Sequence, residues 1–228
     1  MKYVNNAFHA LKVAFANEVG RLAHTSGVDS LEVMRLLCDD RRLNISPAYL
    51  RPGMAFGGSC LPKDLRALVY EARRRDVAAP LLESILESNE AHLRAAIAKV
   101  LSYGRPRTAV LGLSFKAGTD DLRESAMVLL VEGLLSKGIP VKIFDRNVQL
   151  LSLVGTNREY VEREIPHIRT LLVGSMEDAL RDAEVVVVGT DDPEVDSVPG
   201  QIREGQVLLD LSGRLAADGR NRPKGICW

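Results

Sequence analysis

A chain of 228 residues with 30 basic and 30 acidic side chains carries no formal net charge, which excludes a surface field able to gather nucleic acid or an anionic membrane. The length exceeds one small domain and predicts two. Three cysteines, Cys38, Cys60 and Cys227, are too scattered and odd in number for a disulfide framework; with no apolar run of about 18 residues and no signal-peptide pattern, the expectation is a cytoplasmic protein.

Met1 to about His24 reads as a helix. Its polar residues Lys2, Asn6, His9 and Asn17 fall within a stripe about 80° wide at helical spacing, while Val4, Ala7, Phe8, Leu11, Phe15, Val19 and Leu22 occupy the opposite side. A wetted face is usually Glu and Lys; amides and a histidine are what line a polar pocket, although a plain amphipathic helix has the same period. Asp29 with Glu32 three residues on predicts a capped second helix. From Asp39 to Gly58 the chain is irregular, and Arg41, Arg42, Tyr49 and Arg51 are placed either to grip an anionic, partly planar ligand or to face solvent.

The stretch FGGSCLPKDLR, Phe56 to Arg66, is the most telling. Two glycines lead to Cys60, and Pro62 opens a helix with Asp64 in its first turn. A thiolate at a helix N-terminus is favoured by the unpaired N–H groups there, so Cys60 reads as a reactive nucleophile rather than a structural cysteine in a Gly-rich turn. A helix from Pro62 to the basic run Arg73 to Arg75 follows, and then a long one from Pro80 to about Tyr103, a spine between domains or subunits.

Past Gly104 the pattern changes. RTAVLGLSFK, PVKIFD, EVVVVGT and QVLLDLSG read as strands, with helices at Arg123 to Lys137 and Ser175 to Arg181. That alternation predicts a parallel, doubly wound sheet whose carboxyl ends are marked by Gly112, Asp145, Thr190 and Asp210. The first turn, GLSFKAG, lacks the triple glycine of a dinucleotide loop, so this half is not read as an NAD domain. Lys116 and Arg123 suit the phosphates of another nucleotide, though either alone is equally an ordinary surface cation.

Four motifs in order, Lys2 with Asn6, FHALKVAFANEVG, FGGSCLPKD and GLSFKAGTDDLRES, make the whole chain resemble the UDP-glucose/GDP-mannose dehydrogenase family of nucleotide-sugar 6-dehydrogenases. The resemblance implies an α/β protein, with an all-helical central dimerisation domain over residues 1–103 and a Rossmann-like, nucleotide-sugar-binding domain over 104–228. It also implies that the family's N-terminal NAD-binding domain is missing, so the chain is expected to be a piece of a longer enzyme and inactive alone. The implied reaction takes a sugar 6-hydroxyl to a carboxylate by two hydride transfers to NAD, through a thiohemiacetal and a thioester on Cys60. Lys2 and Asn6 match the groups that stabilise the developing oxyanion, and Asp64 the acid at the hydrolytic water. His9, Asn17, Tyr49, Arg51, Gly57 and Lys116 match substrate contacts, several of them supplied across a homodimer. Lys63 and Arg123 match contacts to NAD. Ala48 and Met54 depart from the tyrosine and phenylalanine more usual at those places. His9 and the Leu-Pro of SCLPKD favour GDP-mannose; a UDP-sugar, or a stand-alone nucleotide-sugar-binding dimerisation module, is the alternative. No metal is expected.

Overall fold

The computed structural model describes residues 1–25, 27–41, 50–74, 80–114, 118–148, 163, 165–215 and 223–228. They form two compact units, residues 1–95 with 226–228, and residues 96–225.

The first unit is helical: α1 Lys2–Thr25, α2 Ser30–Asp39, α3 Leu61–Arg74 and the greater part of α4 Pro80–Leu101. Asp29 caps α2, accepting from the N–H groups of Leu31 at 2.8 Å and Glu32 at 3.3 Å. Glu32 does not return to the cap; it turns forward to the guanidinium of Arg35, at 2.6 and 2.8 Å. The core joins Ala7, Ala10 and Ala14 of α1 to Leu65 and Val69 of α3, Ile85 of α4 and Phe56 of the intervening loop. Methyl side chains let two helix backbones approach closely, so α1 buries its alanines, packs Leu11 and Val13 partly against the same core and leaves other large apolar residues outside. Val4, Phe8 and Phe15 are 57%, 43% and 45% exposed. The stripe holding Asn6 and Asn17 lies toward the buried side, and Asn17 is fully enclosed.

The end of the chain belongs to this unit too. Cys227 is fully buried against Gly20, where an added Cβ would stand 2.9 Å from that of Cys227. Its thiol donates to the Asn17 carbonyl at 3.6 Å, and Ser30 donates its hydroxyl to the Cys227 carbonyl.

The second unit is built on a four-stranded parallel sheet of β1 Thr108–Leu111, β2 Val141–Phe144, β3 Val185–Val188 and β4 Val207–Asp210, in the order β2-β1-β3-β4. Every residue of β1 and β3 is buried, as expected of central strands covered on both faces, and this is why β3 is four valines in a row. Both edges are blunted. Leu172 bridges to Ile143 of β2, and Lys224 bridges to Leu209 of β4. The helix after β1, α5 Ala126–Ser136, is capped by Ser125, whose hydroxyl accepts from Met127 at 3.2 Å and donates to the Leu113 carbonyl at 2.6 Å. A short helix, Met176–Leu180, precedes β3. At the carboxyl end of β1, Gly112 has φ +87, and a Cβ there would lie 2.4 Å from the Thr190 Cβ.

Candidate functional site

Gly58, at φ +84, turns the chain into α3, a conformation that costs a non-glycine residue about 1–2 kcal/mol. The Asp64 N–H donates to the Cys60 carbonyl at 2.9 Å, so Cys60 is the N-cap and α3 begins at Leu61, one residue before Pro62. The Cys60 thiol is exposed, with the Ser59 hydroxyl 3.9 Å away. Sulfur at this place is approached by solvent or substrate from outside and backed by the first turn of a fourteen-residue helix.

One turn on, Asp64 has no exposed surface, yet three polar side chains converge on it. The Asn6 amide donates to its Oδ2, the Lys2 ammonium stands 3.9 Å from the same oxygen, and the Lys63 ammonium 3.6 Å from Oδ1. A buried carboxylate needs compensation of this kind, and the lysines supply it from outside, their side chains 65% and 57% exposed. Oδ1 accepts no hydrogen bond among the described residues. Lys2, Asn6 and Asp64 are therefore brought together by α1 and the first turn of α3, one turn on from Cys60. Among the described residues no group of three or more His, Cys, Asp and Glu forms a metal site.

Of the other residues singled out in the sequence, His9 and Gly57 are half-buried in the same unit and Arg51 is exposed. The amide oxygen of Asn17 accepts from the Gly53 N–H at 2.9 Å. Met54 is half-buried; Arg42, Ala48, Tyr49 and Lys116 lie outside the described residues. Arg123, in the second unit, donates to both carboxylate oxygens of Asp121 at 2.8 and 2.6 Å. That hydrogen-bonded guanidinium holds the Asp121 carboxyl below the usual carboxylate range, against the opposing effect of its partial burial.

Two residues on α4 that the sequence reading passed over bear on the loop before Cys60. Asn89 accepts from the Phe56 N–H at 2.8 Å and donates to the Phe56 carbonyl at 2.9 Å. The buried His92 holds its Nε2 2.7 Å from the Gly53 carbonyl, which requires the proton on that nitrogen. Their signal was present: both interrupt the apolar stripe of α4 between Ile85 and Ala96.

The sheet of the second unit does not fit a dinucleotide bound in the usual way. In that mode an acid after the second strand takes the ribose hydroxyls. Asp145 occupies the position, but its carboxylate is spent on four backbone N–H groups, those of Leu113, Ser114, Asn147 and Val148, at 2.7 to 3.3 Å. The cleft there is lined also by Arg146, Asp192 and Glu194.

Two family models match the chain. Residues 1–91 fit the central domain of the UDP-glucose/GDP-mannose dehydrogenase family and residues 109–222 its UDP binding domain. The chain belongs to the UDP-glucose/GDP-mannose dehydrogenase family. Among relatives in this family it is 46% identical over its full length to a GDP-mannose 6-dehydrogenase of Pseudomonas savastanoi pv. phaseolicola, of which it spans 52%. The crystal structure of a ternary complex of GDP-mannose dehydrogenase from Pseudomonas aeruginosa superposes with a TM-score of 0.76 at 45% identity, over 99% of this chain and 52% of that one. A UDP-glucose dehydrogenase from the archaeon Pyrobaculum islandicum gives a TM-score of 0.82 at 30% identity, over 100% of this chain and 50% of that one. The chain thus spans about half the length of the family members it matches. Among the described residues no helix is long and apolar enough to cross a membrane.

Proposed function

We propose that this chain is the central and nucleotide-sugar-binding part of a GDP-mannose 6-dehydrogenase, a cytoplasmic homodimer that makes GDP-mannuronate. Residues 1–103 serve as the catalytic and dimerising domain and 104–228 as the domain that holds the nucleotide sugar. The observation that carries the reading is the exposed Cys60 at the N-terminus of α3, one turn from a buried Asp64 on which Lys2, Asn6 and Lys63 converge.

In this reading the Cys60 thiolate attacks the aldehyde carbon left by the first oxidation, forming the C–S bond of a thiohemiacetal and placing negative charge on the former carbonyl oxygen. Lys2 and Asn6 meet that charge. After the second oxidation the carbon is a thioester. Asp64 takes a proton from water as it attacks, the C–S bond breaks, and thiolate and carboxylate separate. His9, Asn17, Tyr49, Arg51, Gly57 and Lys116 are assigned to the nucleotide sugar. NAD, when bound, accepts the hydrides; the sheet of this chain does not fit it, and Lys63 and Arg123 are the contacts assigned to this chain. Alone, the 228 residues transfer no hydride.

Identity of 45–46% to the GDP-mannose enzymes against 30% to the UDP-glucose enzyme favours the guanine nucleotide. The test is calorimetric titration of the chain with GDP-mannose and, separately, UDP-glucose, on the parent and on Cys60→Ser. GDP-mannose is expected to bind both proteins and UDP-glucose neither. Preference for UDP-glucose would overturn the substrate, and heat from neither sugar would overturn binding by this chain alone.

A further inference from the structure

The segment that delivers Cys60 has little regular structure of its own, yet two of its residues are held by both backbone N–H and carbonyl. At Gly53 the N–H is taken by Asn17 of α1 at 2.9 Å and the carbonyl by His92 of α4 at 2.7 Å. At Phe56 the N–H and the carbonyl are both taken by the amide of Asn89, at 2.8 and 2.9 Å. Asn89 and His92 are three apart on one face of α4, and both Asn17 and His92 are 1% exposed. A glycine-containing loop fixed at two residues loses most of its freedom between them. The Phe56 side chain is itself in the core with Leu65 of α3, so the three residues between Phe56 and Cys60 run from a fixed point to the helix N-cap.

We propose that Asn17, Asn89 and His92 are positioning residues that, by clamping Gly53 and Phe56, set the place of the Cys60 thiol. The proposal rests on Cys60 being the reactive group. The chemistry of the clamp is specific. Asparagine is the short side chain that offers an acceptor and a donor together to the N–H and carbonyl of one residue, and a ring N–H facing a carbonyl must donate. A side chain that only fills space at either position would leave a buried backbone group unpaired.

The test uses the full chain, without nucleotide sugar or NAD, so that it stands apart from the substrate assignment. The alkylation rate of Cys60 by iodoacetamide is followed by peptide mass spectrometry in the parent, in the parent unfolded in urea, and in four variants: His92→Gln, which keeps an N–H at similar reach; His92→Phe, which keeps the volume; Asn89→Asp, which keeps the shape and loses the donor; and Asn89→Leu. Melting curves confirm that each is folded. The parent rate is expected to differ from that of the unfolded chain by at least tenfold. His92→Gln should stay within threefold of the parent, while the other variants move toward the unfolded rate. Hydrogen exchange at residues 57–61 and 63, beyond the two clamped residues, should quicken in the same three while α2 is unchanged. A parent-like rate in every folded variant, or a parent rate equal to that of the unfolded chain, would overturn the proposal. Should His92→Phe not fold, Asn89→Asp decides it.

Discussion

A buried aspartate with two exposed lysines and an amide around it is a costly arrangement to keep for stability alone. Taking a carboxylate out of water costs several kcal/mol, and pairs made from outside return part of it. Asp64 therefore reads as a group held ready rather than as a brace. Asp121 differs. It is paired in the plane of the Arg123 guanidinium, and its carboxyl titrates below the ordinary value. A depressed folded value means that the pair stabilises the fold at pH above about 4, the unfolded aspartate range, and that this contribution is lost as pH falls through the folded value. Asp121→Asn is accordingly expected to lower the urea midpoint at pH 7 and to leave it close to the parent's near pH 2; an equal loss at both would show that the effect is not ionic. The same residue scale separates what was legible in the sequence from what was not. Cys60, Lys2, Asn6 and Asp64 carry their chemistry in the side chain and stand in a recognisable spacing. Asn89 and His92 act on backbone groups more than thirty residues away; the interrupted stripe of α4 marks them as polar on a buried face but does not name those partners.

At the scale of elements, the close turn after β1 is a point of little tolerance. Gly112 sits in the left-handed region with the Thr190 side chain against it, so Gly112→Ala meets both backbone strain and a contact of 2.4 Å. A loss of at least about 2 kcal/mol is expected in denaturant unfolding. A loss below about 0.5 kcal/mol would mean that β3 gives way easily. The strands themselves were plain in the sequence, because valine-rich runs between glycines leave few alternatives. The burial of α1 was not. Counting large apolar residues points to the side with Phe8 and Phe15, but the helix packs against α3 through Ala7, Ala10 and Ala14, where closeness matters more than side-chain area.

For the whole molecule, that inversion leaves Val4, Phe8 and Phe15 along one line of α1, open to solvent. The three side chains recur at helical spacing and mark the surface through which the proposed homodimer would form. Phe8→Glu is expected to halve the mass seen in sedimentation equilibrium while circular dichroism is unchanged. An unchanged mass would place any self-association elsewhere. The helical and sheet units divide inside α4, between residues 95 and 96, whereas the composition changes after Gly104. The return of residues 226–228 to the helical unit was not legible in the sequence, since three residues carry no periodicity.

That return has a consequence for how the protein is made. The socket between Gly20, Ser30 and the Asn17 carbonyl is filled by Cys227, so the helical unit lacks this piece until residues 226–228 have been synthesised. At ordinary elongation rates this wait, spanning the synthesis of the entire sheet, is on the order of ten seconds. A nascent chain stalled before Ile226 therefore holds Cys60 and Asp64 on a helical unit whose Cys227 socket is empty.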